Sequence, residues 1–167
     1  MQTNTAISRS GAVIAMGLLL ATSLAAEPTP DAVTVVEAFN AAISAGDTEA
    51  AKRHLTPGGV QFTLRSMHDG VGPAELTTAL SDHWAMILPV IFSSTENYTR
   101  TVEILNAESF GDIATVWTRT TTVSQRRGGS DAQSSEFTEV YMLVATPDGW
   151  KVASIADNRP SSSLATP

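Results

Sequence analysis

Glu139 is the side chain in this sequence that best fits the setting of a buried acid–base group. It lies in an alternating segment in which Phe137, Tyr141 and Leu143 have the same parity, and alternate residues of a β-strand point to the same face of a sheet. If these neighbours face the interior, Glu139 faces it too, where burial raises the pKa of a carboxyl group and suits it to general acid or base catalysis. The alternative is a position at the rim, with Glu139 in solvent or paired with Arg119.

The preceding segment offers a candidate for holding an acidic ligand. Trp117, Arg119 and Thr121 share one parity there. A guanidinium group can bind a carboxylate through two parallel hydrogen bonds, so we predict Trp117 and Arg119 as ligand-binding residues. The alternative places Arg119 on the outer face of the sheet or in an ion pair with Glu139.

The histidines do not form a recognisable metal-binding set. His54, His68 and His83 are the three histidines of the chain, and no two of them have the close spacing, with a nearby carboxylate, that a metal site needs. The sequence also has no glycine-rich phosphate loop or dinucleotide fingerprint, so we predict neither a metal nor a cofactor. His83, next to Trp84, is predicted at the mouth of a pocket, with a helix-packing or surface position as the alternative.

The elements that must position these residues follow from periodicity and from glycine and proline. Helical spacing of apolar residues predicts three helices, and alternation between turn residues predicts five strands. The helices are predicted over 30–45, 47–55 and 73–89, and the strands over 60–65, 95–107, 112–125, 135–146 and 150–157. This order, helices first and then a strand meander, predicts an α+β fold in which the helices pack on one face of a curved antiparallel sheet.

A set of aromatic and aliphatic residues falls at core-facing phases of these elements. Such a set forms either the wall of an apolar pocket or ordinary core. It comprises Phe39, Leu80, Trp84, Ile87, Trp117 and Tyr141.

The N-terminus has the pattern of an export signal. Arg9 is followed by the apolar run 11–20 and by small residues up to Ala25, which predicts a signal peptide over 1–25. A membrane anchor is the alternative, but the run is short for a span of about 20 residues. We therefore expect a periplasmic or secreted protein without a membrane anchor, with a linker over 26–30, one domain over 31–158 and a disordered tail over 159–167.

The net charge limits the classes of partner, and the cysteine content limits how the fold can be stabilised. The chain carries 17 acidic and 10 basic residues, a net charge of −7, and no cysteine. An acidic balance argues against nucleic-acid binding, and without disulfides the fold depends on packing alone.

Three short motifs resemble the nuclear-transport-factor-2-like superfamily, which includes the SnoaL-like cyclases and the ketosteroid isomerases. They are the helix and turn over 38–47 (AFNAAISAGD), the strand opening over 110–117 (FGDIATVW) and the final strand over 148–155 (DGWKVASI). With the order of elements, the resemblance covers residues 31 to 158 and is nearest to exported SnoaL-like members. It implies a cone-shaped NTF2-like domain with a pocket between helices and sheet, and a homodimer formed through the sheet.

The resemblance also implies where an isomerase would carry its tyrosine and two acids. The corresponding positions are Phe39, residues 61–63 and residues 140–142, and none of them supplies the expected group. We therefore predict binding of a small apolar or amphipathic molecule in a pocket lined by Phe39, His83, Trp84, Trp117, Arg119 and Tyr141. The alternatives are a cofactor-free lyase, isomerase or cyclase that uses Glu139 as general acid or base, and a protein-interaction module that uses the sheet face.

Overall fold

A computed structural model describes residues 30–65 and 72–160. The predicted signal peptide, the linker up to residue 29, His68 and the tail from residue 161 lie outside the described residues. Within the described part, no helix is long and apolar enough to cross a membrane.

The described chain contains three helices and six strands. The helices are α1 (Pro30–Ala45), α2 (Thr48–Arg53) and α3 (Leu80–Ser94), and the strands are β1 (Leu55–Thr63), β2 (Glu75–Thr77), β3 (Thr95–Phe110), β4 (Ile113–Arg126), β5 (Ala132–Thr146) and β6 (Gly149–Asp157). The strands form one curved sheet in the order β2-β1-β6-β5-β4-β3. The α+β prediction is confirmed, but the sheet is mixed rather than antiparallel, because β1 and β6 pair in parallel.

The turn between the first two helices follows the local chemistry of the sequence. Gly46 adopts a φ of +67°, a conformation that glycine reaches without strain and that ends a helix. Asp47 then caps α2 by accepting a hydrogen bond of 2.9 Å from the backbone N–H of Ala50. Such a cap satisfies one of the free N–H groups of the first turn.

The third helix begins later than predicted and continues through its proline. Residues 75–77 form the edge strand β2, in which Leu76 pairs with Phe62 and is 61% exposed, so Leu76 is not on a helix face. Pro89 lies inside α3 rather than at its end. It occupies an exposed position, while Trp84 and Leu88 are buried, so packing holds the helix together across the missing backbone hydrogen bond.

The two faces of the sheet differ in environment. Alternate residues of β4 and β5 are buried on the inner face, which the helices cover. The core joins the apolar stripe of α1 to this face and to α3. Its fully buried members are Val36, Phe39, Ile43, Ala51, Leu80, Leu88, Val116, Tyr141, Leu143, Val152 and Ile155.

Candidate ligand-binding site

A row of polar side chains crosses the inner face next to this core. Thr118, Glu139, Asp157 and Thr63 are neighbours in register on β4, β5, β6 and β1. Each is no more than 3% exposed. Burying polar groups is unfavourable unless they are hydrogen-bonded, so the partners of the two carboxylates determine what this row can do.

Glu139 is held by three donors on one oxygen. Its Oε2 accepts hydrogen bonds from Arg100 Nη2, from Thr120 Oγ1 at 2.7 Å and from the Tyr141 hydroxyl at 2.7 Å. Its Oε1 has no hydrogen-bond partner among the described residues. Arg100 and Glu139 thus form an ion pair whose side chains are 3% and 0% exposed.

Asn40 connects this ion pair to α1. Its Nδ2 donates to the carbonyl of Val36 at 2.8 Å and to the Tyr141 hydroxyl at 3.0 Å. Its Oδ1 accepts from Nε of Arg100. The helix therefore fixes the orientation of the guanidinium group as well as covering it.

The pKa values of Tyr141 and Arg100 are shifted by burial and by neighbouring charges. Burial, followed by the charge of Glu139, raises the pKa of Tyr141 above its ordinary value. Burial alone would lower the pKa of Arg100, but the charge of Glu139 and the Tyr141 hydroxyl raise it above its ordinary value. Tyr141 therefore stays protonated and Arg100 stays charged near neutral pH.

Asp157 is the centre of a second buried cluster. It accepts hydrogen bonds of 2.8 Å from Gln61 Nε2 and from Thr63 Oγ1. The backbone N–H of Arg159 donates to it at 3.2 Å, and Nε of Arg159 lies 3.1 Å from Oδ2 without hydrogen-bond geometry. Asp157 thus lies beside Thr63 of β1, on the neighbouring strand β6.

A cavity of about 500 Å³ lies between α3 and strands β3, β4 and β5. Its lining combines basic, aromatic, aliphatic and uncharged polar groups. The lining residues are His83, Trp84, Ile87, Ile91, Tyr98, Arg100, Thr122, Ser124, Arg126, Gln133, Ser135, Phe137, Arg159 and Pro160. The predicted apolar pocket is therefore amphipathic.

A smaller cavity of about 220 Å³ adjoins the first and shares His83, Ile87 and Arg159 with it. Burial, followed by the charge of Arg159, lowers the pKa of His83. His83 is therefore a neutral imidazole near neutral pH, able to donate or accept a hydrogen bond. Its ring also packs edge-to-face on Trp84, at 6.2 Å between ring centroids.

Arg100 lines the larger cavity. Its guanidinium carbon lies 5.9 Å from the centroid of the Trp84 ring and 5.5 Å from that of Phe137, within the range of cation–π attraction. Its hydrogen bonds to Asn40, Glu139 and Tyr141 use Nε and Nη2. Within the described part of the chain, Nη1 has no partner, so it remains available to a molecule in the cavity.

The predicted site residues are only partly brought together. His83 and Trp84 line the cavity. Tyr141 and Glu139 lie on the inner face, as β5 parity predicts, but behind Arg100, and they do not line the cavity. Phe39 is core, fully buried and edge-to-face on Trp84 at 5.7 Å.

Trp117 and Arg119 are predicted to line the pocket, but they do not line the cavity, because the inner face of β4 carries the residues of the opposite parity. Trp117 is 44% exposed on the outer face. Arg119 pairs there with Glu103 at 2.7 Å. The inner positions of β4 instead include Val116 and Thr118, both fully buried.

Two residues of the site were missed from the sequence. Arg100 shares a parity with Tyr98 and Val102 in β3, which is the signal that would have placed it inward. Asn40 follows Val36 by four residues on α1 and so lies on the buried helix face. Among the described residues no group of three metal-ligating side chains is close enough to hold an ion.

Comparison with known proteins identifies the fold. A ketosteroid isomerase-like protein from Erwinia carotovora atroseptica SCRI1043 superposes with a TM-score of 0.61 at 16% identity, covering 78% of this chain and 95% of the other. A candidate scytalone dehydratase from Novosphingobium aromaticivorans gives 0.65 at 9% identity, covering 78% and 82%. An NTF2-like protein with a cystatin-like fold, also from Novosphingobium aromaticivorans, gives 0.59 at 15% identity, covering 79% and 81%.

The protein therefore has the NTF2-like fold, and the predicted resemblance is confirmed at the level of the fold. No family model matches the sequence. No curated protein matches it either.

Proposed function

We propose that the protein binds a small amphipathic molecule in the cavity between α3 and the inner face of the sheet. The observation that carries this proposal is a cavity of about 500 Å³ that ends on a desolvated guanidinium group with a free N–H. Ligand pockets have volumes of roughly 300–1,000 Å³, with a few polar groups that fix the orientation of the ligand. Arg100, held by Asn40 and Glu139, is such a group.

The surroundings of Glu139 favour a positioning role over proton transfer. It is fully buried and does not line the cavity. Its Oε2 already accepts three hydrogen bonds, and a general base must reach the proton that it abstracts. Glu139 therefore supports binding by orienting Arg100.

A second candidate is a cofactor-free lyase or isomerase, favoured by the placement of His83. This side chain lines both cavities, and its lowered pKa leaves it neutral, as a general base requires. Isomerase-like and dehydratase-like names occur among proteins of similar fold. In this proposal His83, rather than Glu139, exchanges the proton.

Binding is tested by the fluorescence of Trp84 in a variant that retains only this tryptophan. The chain has three tryptophans, so Trp117→Phe with Trp150→Phe leaves Trp84 as the reporter. Native mass spectrometry of the full chain, purified without denaturation, identifies any co-purified ligand, and its addition should change Trp84 emission saturably. Ser135→Phe, which fills the cavity, should abolish the response, whereas the outer-face control Thr121→Phe should not.

Turnover of the identified ligand separates the two candidates. Under the binding proposal, the ligand is recovered unchanged after prolonged incubation with the protein. Under the enzyme proposal, product accumulates and His83→Gln stops it while binding persists. Equal ligand responses in wild type and Ser135→Phe would contradict both, because neither could then use the cavity.

Export remains part of the proposal. The charged, apolar and small-residue pattern over 1–25 supports cleavage after Ala25 and a periplasmic or secreted protein. Expression in an exporting bacterial host followed by intact-mass measurement should give a chain that begins at residue 26. A full-length chain recovered from the cytoplasm would contradict export.

The outer face of the sheet supports pairing with a second copy. Ile113, Trp117 and Met142 are 50%, 44% and 45% exposed there, and Trp117 lies opposite Val140 on the next strand. This patch, defined by these four residues, carries no charge, so two acidic chains could meet through it with limited repulsion. Light scattering should give a dimer that Trp117→Lys dissociates, and a monomeric wild type would favour a different protein as partner.

A further inference from the structure

We propose that the molecule held in the cavity is a flat or cyclic organic acid, with its carboxylate against Arg100 and its apolar face against α3. This inference rests on the proposed function and specifies its ligand class. Three features of the cavity carry it: the charges of the wall, the free N–H of Arg100, and the contrast between the helix wall and the sheet wall.

The charged groups of the wall are all arginines. Arg100, Arg126 and Arg159 line the cavity together with the neutral His83, and among the described residues no acidic side chain does, although the chain as a whole carries a net charge of −7. Glu139 and Asp157 lie behind the wall and form ion pairs with Arg100 and Arg159. Arg126 has no ion-pair partner among residues 30–65 and 72–160, so the wall retains a positive charge that attracts an anion.

The guanidinium group of Arg100 is already oriented for an acceptor. Glu139 and Asn40 hold two of its nitrogens, and the rings of Trp84 and Phe137 lie near its carbon. Little side-chain freedom is left to lose when a ligand oxygen approaches Nη1. A preorganised and desolvated donor favours a charged acceptor most, because charge-assisted hydrogen bonds are stronger than neutral ones.

The two long walls of the cavity suit opposite sides of one molecule. On α3, Trp84, Ile87 and Ile91 lie at helical spacing and form an apolar wall. The sheet contributes uncharged polar groups, namely Thr122, Ser124, Gln133 and Ser135. A planar ring system with polar substituents along one edge fits between such walls.

The register of the strands gives the length of the cavity between Arg100 and Arg126. Arg100 pairs with Thr122 on β4, and Arg126 is four residues further along that strand. Four residues of β-strand span about 13 Å, enough for a ring system with a short side chain. Arg126 is exposed and lies where it would attract an anion before the carboxylate reaches Arg100.

The test compares acids with their neutral isosteres. Naphthalene-2-carboxylate and cinnamate are titrated into the full chain beside naphthalene-2-carboxamide and cinnamamide, with Trp84 fluorescence and calorimetry as readouts. We expect each acid to bind at least tenfold more tightly than its amide. We also expect the acid affinity to fall with added salt, because salt screens exposed charges such as that of Arg126.

Two arginine variants and a matched control show which positive charges of the cavity cause the preference for acids. Arg126→Gln should weaken acid binding several-fold and leave amide binding unchanged. Arg119→Gln, an equal change of charge on the outer face of the same strand, should alter neither. Arg100→Lys should lose the preference for acids, and urea unfolding checks that this variant is folded. If it does not fold, the comparison of Arg126→Gln with Arg119→Gln still decides whether the cavity prefers acids.

The outcomes distinguish this inference from the proposed function. Equal binding of acids and amides, abolished by Ser135→Phe, would overturn the acid class while leaving the cavity as a binding site. A neutral co-purified ligand, together with no binding of the acids, would also overturn the acid class while leaving the cavity as a binding site. No binding of any probe and no co-purified ligand would overturn both.

Discussion

Two acid–arginine pairs lie side by side on the inner face of the sheet, and they differ in what covers them. Glu139 and Asp157 are direct neighbours on β5 and β6, and both carboxylates are fully buried in their ion pairs. The Arg100 side chain is 3% exposed, whereas that of Arg159 is 35% exposed. The first pair is sealed by α1 and aromatic rings except where Arg100 lines the larger cavity, and Arg159 of the second pair lines both cavities.

The difference indicates two roles for the same chemistry. A buried ion pair contributes little net stability, but removal of one partner leaves an uncompensated buried charge. The sealed pair is therefore a fixed support that orients Arg100. The half-exposed pair can open at small cost, because solvent screens Arg159. Because Arg159 lines both cavities, we expect its displacement to join them.

The largest expected effect is the removal of the sealed acid. Glu139→Ala should lower the free energy of unfolding by about 3–5 kcal/mol, because Arg100 then stays buried without its counter-charge. Urea unfolding at pH 7 measures it. The double variant Glu139→Leu with Arg100→Met should recover much of the lost unfolding free energy, since neither charge remains. A loss below about 1 kcal/mol in Glu139→Ala would instead mean that the pair is solvated.

A smaller loss is expected at the second acid. Asp157→Asn removes a charged acceptor but keeps the shape, and Gln61 can turn its amide so that the unpartnered Oε1 accepts from the new amide. We expect a loss of about 1–3 kcal/mol, again from urea unfolding. A loss as large as that of Glu139→Ala would mean that the two pairs are equally sealed, which would remove the contrast between them.

The sequence predicted one of these pairs better than the other, for a physical reason. Glu139 could be placed inward because Phe137, Tyr141 and Leu143 on its own strand are apolar and share its parity. Its partner Arg100 is 39 residues away in sequence. Alternation within one strand gives the face of a residue, but it does not identify which residue of another strand lies opposite.

The wrong placements of Trp117 and Leu76 have the same origin, because tertiary contacts are not visible in a local sequence pattern. Trp117 is predicted at a core-facing phase of β4, but the small and branched residues Ala114 and Val116 mark the buried face. Likewise Leu76 falls within the helix predicted over 73–89, whereas pairing with Phe62 of β1 holds it in an edge strand. In both cases a tertiary contact decided what the local pattern left open.

Arg159→Ala should change ligand size preference more than stability. Asp157 keeps Gln61 and Thr63 as donors, so the loss of unfolding free energy should be about 0–1 kcal/mol. Because Arg159 lines both cavities, its removal should join them and admit bulkier molecules. Trp84 fluorescence with naphthalene- and anthracene-2-carboxylate measures the ratio of affinities, and an unchanged ratio would mean that Arg159 does not separate the cavities.

The smallest expected effect is a change in the titration of His83. Burial and then the charge of Arg159 lower its pKa, whereas Arg100, which lines the same cavity, is not a cause of this shift. Arg159→Ala should therefore raise the pKa of His83 toward 6.5 in an NMR titration, with the peak assigned by His83→Gln. His54, whose pKa is lowered by burial and then by Lys151 and Arg53, should not move.

The sign of the linked stability change follows from the same shift. A lowered pKa means that the unfolded chain binds more protons between the folded pKa of His83 and 6.5, so stability falls as the pH falls through that window. In Arg159→Ala the folded pKa of His83 is expected to lie closer to 6.5, so this pH range becomes narrower. The loss of stability between pH 7 and pH 5.5 should therefore be smaller than in wild type. An unchanged pKa of His83 would mean that Asp157 neutralises Arg159 as fully as Glu139 neutralises Arg100, and the half-exposed pair would then be as closed as the sealed one.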